Sequence, residues 1–341
     1  MRYLPDRLPA RCAALALCAL STLTAVGAPL DARTQAVSDY LHAIWGKAVI
    51  AGQADLTWKD SVDMAQRVHA DTGKYPALMG YDFMNYDGSE ADGQHQTEEA
   101  IAFSRKGGLV SFHWHWRMKG KFYVHEPDAR KNTDFIIPMD KDSQGYRQIN
   151  RDIDDIAVQL KRLQEAGVPV LWRPLHEASG GWFWWGRARS DGVAPSAAYI
   201  QLWRHMHDRL VNHHGLRNLI WVWNGQDPAW YPGDDVVNIS GYDIYDKTDN
   251  KAYGSQAQTY RTLQRHGKPI ALSETSYIPD PDKMAADGAW WLWFMVWNDG
   301  GGPPVTNENN FWSGEYYNTS AHKKKVYNHP NVITLERLPR F

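Results

Sequence analysis

From Arg147 to Gly167 the apolar positions Ile149, Ile153, Ile156, Leu160 and Leu163 fall four, three, four and three residues apart. That spacing lays one apolar stripe along a helix, and the glycine behind it ends the helix. Pro169 to Leu175 then follows and reads as a buried strand. The same grammar recurs at Gly46, Gly73, Gly107, Gly215 and Gly267, each closing a helical pattern shortly before an apolar run. The strands so predicted are Ala48 to Gly52, Ala77 to Phe83, Leu109 to Trp114, Val170 to Leu175, Leu219 to Trp223, Val236 to Tyr242, Ile270 to Ser273 and Trp291 to Val296. Eight strands alternating with helices predict a single-domain (β/α)8 TIM barrel, with a doubly wound open sheet as the competing arrangement.

The N-terminus departs from this pattern. Arg2, Arg7 and Arg11 precede an apolar run from Cys12 to Val26, which closes on Val26-Gly27-Ala28. Basic start, short apolar core and small-residue end predict a secretory signal peptide over residues 1–28, with the catalytic domain over 29–341. The core is short for a membrane span. Leu17 stands where a lipoprotein anchor at Cys18 would want a small residue. Removing 28 of 341 residues leaves 313, and both cysteines leave with the signal, so disulfides and Cys-ligated metals are excluded. Three Arg and Asp6 also leave, reducing 37 basic and 39 acidic side chains to 34 and 38, a formal charge of −4. No nucleic-acid footprint remains. The chain is expected to be secreted, extracellular or periplasmic, with no membrane partner, and monomeric.

Composition changes the picture at one point. The 17 Trp and 17 Tyr include clusters such as Trp182-Phe183-Trp184-Trp185. Most such rings fill cores. In a polar secreted chain they also suit a cleft that stacks on sugar rings while bonding hydroxyls.

In a (β/α)8 barrel, chemistry gathers at the C-terminal ends of the strands. Asp82, His113 to Trp116, His176-Glu177, Asn224, Tyr242-Asp243, Glu274 and Asn298-Asp299 collect at those ends. Glycoside hydrolysis needs two carboxyl groups flanking the scissile bond. Glu177 ends strand four and Glu274 ends strand seven, facing one another across the mouth. A lone Glu there would read as a helix cap or an Arg partner; two, with His176 and Arg173 alongside, read as catalytic.

The run WRPLHEASGGWFWWG, Trp172 to Gly186, together with LSET around Glu274, resembles family 26 of the glycoside hydrolases, best known for endo-β-1,4-mannanases. The likeness extends to WHW at Trp114 to Trp116, GYDIY at Gly241 to Tyr245, Trp297-Asn298-Asp299 and the closing KKVYNHPNVITLERLP. The resemblance implies a retaining double displacement on β-mannan-type polysaccharide or oligosaccharide, with Glu177 as acid/base, Glu274 as nucleophile and no cofactor. It also implies sugar contacts from His115 and His176 and a sugar platform at Trp182. A Tyr at the end of strand six is expected to bond the nucleophile; of Tyr242 and Tyr245, Tyr242 is the choice. Trp297 is the expected stacking residue on strand eight, with core packing as its alternative.

Glu177 must arrive protonated, and an ionised Glu274 nearby would raise its pKa. Arg173 lies two residues before Glu177, on the same strand face, where it could favour the ionised form of Glu274. His113 and His115 share a strand face, as the first ligands of some metal sites do, yet strands five to eight end in no further His; the expectation is no metal, with His113 a satisfied histidine deeper in the barrel. Arg117 to Tyr146 is long for a connection and is expected to wall the cleft. Rival functions are a mixed-linkage β-glucanase, a β-1,3-xylanase, a non-catalytic sugar-binding barrel and a metal-dependent hydrolase.

Overall fold

The computed structural model describes residues 29–57, 62–86, 93–117, 141–187, 192–246, 250–300 and 310–341. The signal segment and most of the Arg117 to Tyr146 connection lie outside them.

Eight parallel strands close on themselves. They are β1 (Val49–Ala54), β2 (Leu78–Asp82), β3 (Leu109–His113), β4 (Val170–Arg173), β5 (Leu219–Trp223), β6 (Ile239–Ile244), β7 (Ile270–Thr275) and β8 (Trp293–Val296). Closure is explicit in the register: β1 pairs with β2 at Gly52 and Leu78, and with β8 at Ile50 and Trp293. The open-sheet alternative is thereby overturned. A short ninth strand, β9 (Val332–Ile333), runs parallel to the start of β1.

Helix α1 (Ala32–Ile44) precedes the barrel. The crossovers carry α2 (Met64–Thr72), α3 (Gln96–Arg105), α4 (Gln144–Glu165), α5 (Pro195–Asp208), α6 (Asn250–Leu263) and α7 (Pro281–Asp287), and α8 (Ser320–Tyr327) follows β8. Local chemistry sets their ends. Asp63 accepts from the Gln66 N–H to start α2, and Gly73, at φ 75°, closes it in the left-handed region that glycine occupies without strain. The apolar stripe read from the sequence is the buried face of α4, with Ile149, Ile153, Ile156, Leu160 and Leu163 all buried.

One crossover breaks the alternation. Between β5 and β6 only a 3-10 turn forms, Pro228–Trp230. Pro228, Pro232 and Gly233 leave that connection too short a stretch of helix-forming chain.

Strand parity divides the core. Ile50, Leu78, Leu109, Leu171, Ile220, Ile239, Ala271 and Trp293 fill the barrel, while Val49, Met79, Val110, Trp172, Trp221 and Leu272 pack outward against the helices. Parity also decides the site. Asp82, His113, Arg173 and Asp243 occupy inward positions at the tops of their strands, and Asn224 continues that parity past β5.

Candidate active site

Glu274 is turned inward by an irregularity. Tyr242 of β6 pairs with Leu272 of β7, but the next residue, Asp243, pairs with Glu274, so Ser273 is an extra residue in β7. Such a bulge moves every later side chain to the other face. Without it, alternation from Ala271 would point Glu274 at the helices. The bulge needs room: a Cβ on Gly241 would stand 2.3 Å from the Ser273 hydroxyl.

Inside the barrel Glu274, 3% exposed, meets two donors. The Arg173 guanidinium donates through Nη2 to Glu274 Oε1. Tyr245 donates its hydroxyl to Oε2 at 2.5 Å. The tyrosine on Glu274 is therefore Tyr245 and not Tyr242. Tyr242 has the outward parity of its strand and packs, half-buried, against the outer core, whereas Tyr245 lies past the strand end and reaches back over the mouth. The Tyr245 ring is 42% exposed, but its hydroxyl end sits among carboxylates, and burial followed by their charge pushes its pKa well up.

Arg173 also donates to Asp243 Oδ2 at 3.1 Å, and Asn224 Nδ2 reaches the same oxygen at 2.7 Å. Burial, then repulsion from Glu274, raises Asp243 above the carboxylate range against the pull of Arg173. The sequence pattern placed Asp243 at a strand end without assigning it a part. Its inward parity, shared with Arg173, was the signal.

Glu177 stands past the end of β4 on a strained backbone, with Leu175 at φ 52° and Glu177 at φ 53°. Side chains other than Gly adopt this region at a cost of about 1–2 kcal/mol each, and such residues gather at functional sites. The Glu177 N–H is held by Asn224 O at 2.7 Å, and Trp182 Nε1 donates to Glu177 Oε2 at 2.8 Å. Burial, then the negative charge of Glu274, raises Glu177 to about 7. One oxygen each of Glu177, Asp243 and Glu274 lie within 4.8 Å of one another. Arg173 provides the cation that lets these carboxyls approach so closely.

Trp182 is 42% exposed, as expected of a ring on a Gly-Gly loop. A Cβ on Gly180 would stand 2.1 Å from the indole, so glycine there permits the close approach. Its neighbours differ: Trp184 and Trp185 are buried and donate to Trp116 O and His176 O. If Trp182 positions Glu177 and carries the sugar platform that the resemblance implies, Trp182→Ala should cut turnover about ten- to hundredfold. A thermal melt should move by no more than about 2 °C; a large drop would make Trp182 a core residue.

His115 Nδ1 lies 2.5 Å from Asp82 Oδ2, and His113 Nε2 lies 3.2 Å from the same oxygen. Burial opposes the His115 cation, but Asp82 outweighs it and holds its pKa up; for His113 burial wins and the pKa falls. Asp82, despite burial, is held well below the carboxylate range by the two rings. His176, 1% exposed with its ring 4.6 Å from His115, is driven well down by burial and then by the charges of His115 and Arg173. Trp297 closes this side, half-buried, 5.3 Å from the His113 ring. Asp82, His113 and His115 have the ligand types and proximity of a metal site, but one Asp82 oxygen already serves both rings. His115, His176, Trp182, Trp297, Arg173 and Tyr245 thus converge with the two Glu residues, while Tyr242 lies to the side.

The sequence pattern of Glycosyl hydrolase family 26 matches residues 27–337. A mannan endo-1,4-β-mannosidase of Thermothelomyces thermophilus is 42% identical over 320 residues, covering 90% of this chain. The chain spans 62% of that relative's length. Among solved structures, a Podospora anserina GH26-CBM35 β-(1,4)-mannanase is 37% identical with a TM-score of 0.76, covering 90% of this chain and 67% of its own. A β-mannanase from a symbiotic protist of the termite Reticulitermes speratus, complexed with gluco-manno-oligosaccharide, is 30% identical with a TM-score of 0.77, covering 93% of this chain and 97% of its own.

Proposed function

The chain belongs to Glycosyl hydrolase family 26, and from that premise we propose that it is a secreted, retaining endo-β-1,4-mannanase with Glu177 as acid/base and Glu274 as nucleophile. The observation that carries the mechanism is the pair of unlike carboxyl groups. One oxygen of each lies within 4.8 Å of the other, a close approach that supports direct attack, for which the two carboxyl groups stand about 5–5.5 Å apart. Glu177 is raised to about 7 and is free to carry a proton, while Glu274 accepts from Arg173 and Tyr245. Two carboxyls with environments this different divide the acid and nucleophile roles.

In the first step a Glu274 oxygen bonds to the anomeric carbon, the glycosidic bond breaks and the Glu177 proton passes to the departing oxygen. In the second, Glu177 takes a proton from water, the hydroxide adds to the same carbon and the bond to Glu274 breaks. Arg173 and Tyr245 hold the nucleophile's two oxygens in place throughout, and Trp182 orients Glu177. His115, which interacts with the charges of Glu274 and Glu177, and the rings of His176 and Trp297 packed beside it would receive a sugar's hydroxyls and ring face.

The substrate rests on the named relatives and on the family. Secretion rests on the apolar N-terminal run; among the described residues no helix is long and apolar enough to cross a membrane. A reducing-sugar assay across mannan, galactomannan, lichenan, xylan and cellulose should release ends fastest from mannan, glucomannan-type linkages included. Preference for lichenan would replace mannan with a β-glucan while leaving the chemistry intact, and no release from any of them would remove the hydrolase reading.

A further inference from the structure

Of 17 Trp, 17 Tyr and 9 Phe in the chain, the exposed large rings among the described residues are Trp182, Tyr245 and Tyr316. All three stand on the C-terminal face of the barrel. Trp182 touches Glu177 and Tyr245 touches Glu274. Tyr316 touches neither, yet it is joined to Tyr245 by a run of rings: Tyr245 to Phe311 at 5.3 Å, Phe311 to Tyr317 at 5.1 Å and Tyr317 to Tyr316 at 4.8 Å. The two end members are 42% and 38% exposed, and the two between them are more buried and support them.

The segment bearing these rings is fixed from both sides. Asp299, 1% exposed at the end of β8, accepts from the N–H groups of Trp312 and Ser313 at 3.0 Å each, from the Ser313 hydroxyl and from Arg67. Asn318 accepts from the Ile278 N–H at 2.8 Å and donates to Ser276 O and Phe311 O. The Asp299 side chain at the end of β8 and the backbone of Ser276 and Ile278 just past β7 thus anchor the segment at Trp312-Ser313 and at Asn318, on either side of Tyr316. An exposed tyrosine on a segment so anchored presents a preformed face, and such a face binds with little ordering cost.

We propose that Tyr316 is a sugar-stacking residue of a glycone subsite beyond the reacting sugar, with Tyr245 and Phe311 forming the wall that leads to it. The inference rests on the double-displacement reading above. There the leaving portion of the substrate departs past Glu177 and Trp182 on the β4 side, while the glycone stays bonded to Glu274. The wall continues from Glu274 toward β8, away from β4, so units joined to the glycone run along it. Apolar sugar faces stack on such rings while their hydroxyls stay solvated.

The test uses dinitrophenyl β-mannosides carrying one, two and three mannosyl units, in which every sugar lies on the glycone side. Tyr316→Ala should leave kcat/KM on the one-sugar substrate unchanged and lower it roughly threefold to tenfold on a longer one, mainly through KM. Tyr316→Phe, which keeps the ring, should restore wild-type values, and a thermal melt checks that both variants are folded. Equal loss on all three substrates, or no loss on any, would overturn the inference. If the wild-type protein leaves all three intact, the mannosidase reading itself has failed, and the glycone assignment falls with it.

Discussion

Glu274→Ala should abolish hydrolysis of both polymeric mannan and activated aryl β-mannosides, with kcat reduced on the order of 10⁴-fold or more. In the proposed double displacement no leaving group compensates for a missing nucleophile, because a bond to Glu274 must form whatever departs. The variant also leaves Arg173, 2% exposed, with Asp243 as its remaining carboxyl partner. Stability must therefore be read separately. Glu274→Gln keeps the shape and a hydrogen-bond acceptor for Tyr245 while removing the nucleophilic charge, so it should be inactive and near wild type in a thermal melt. Recovery of more than a few per cent of activity in either variant, on either substrate, would take the nucleophile's role away from Glu274.

The second large effect separates the two carboxyls. Glu177→Ala should cost polysaccharide hydrolysis about 10²- to 10⁴-fold, the usual contribution of a positioned general acid, but far less on an aryl glycoside whose leaving group departs without protonation. The pH profile supplies the sign. In the proposed mechanism Glu177 works protonated, and its pKa is raised to about 7, so wild-type kcat/KM should be sustained below that value and fall as pH rises through it. In Glu177→Ala that limb should disappear for the aryl substrate. Equal loss on both substrates, or an unchanged limb, would contradict the acid assignment.

How much of this was legible in the sequence follows from the physics of each element. The strands were readable because both faces of a barrel strand are buried and give mostly apolar runs; the boundaries shifted by a few residues where polar residues at the mouth continue a strand, as at Asp243 and Thr275. The α4 stripe was readable because one helical face meets the barrel. Glu177 and Glu274 were readable as types at strand ends, and Arg173 as a partner by parity. The inward turn of Glu274 was not. It depends on the bulge at Ser273, which a two-residue period does not foresee and for which Gly241 opposite is the clue. The same limit misassigned the tyrosine: parity places Tyr242 outward, and Tyr245 acts from beyond the regular strand, where periodicity carries no information. Asp243 passed unassigned because its importance lies in a shared partner, Arg173, that only the closed barrel brings to it. The missing helix between β5 and β6 was signalled by Pro228, Pro232 and Gly233, which the count of alternating units passed over.

The central claim is a double displacement in which Glu274 attacks directly and Glu177 first gives and then takes a proton. Stereochemistry tests it without any variant. Attack on a β-mannoside forms an α-linked glycosyl-enzyme at Glu274, and water then enters from the β face, so the first product carries the β configuration. Proton NMR of the anomeric signals in the earliest minutes of a manno-oligosaccharide digest, before mutarotation mixes the anomers, should show the β signal rising first. An initial α product would mean that water attacks in a single step, and would contradict the nucleophile assignment even with the barrel and both carboxyls in place.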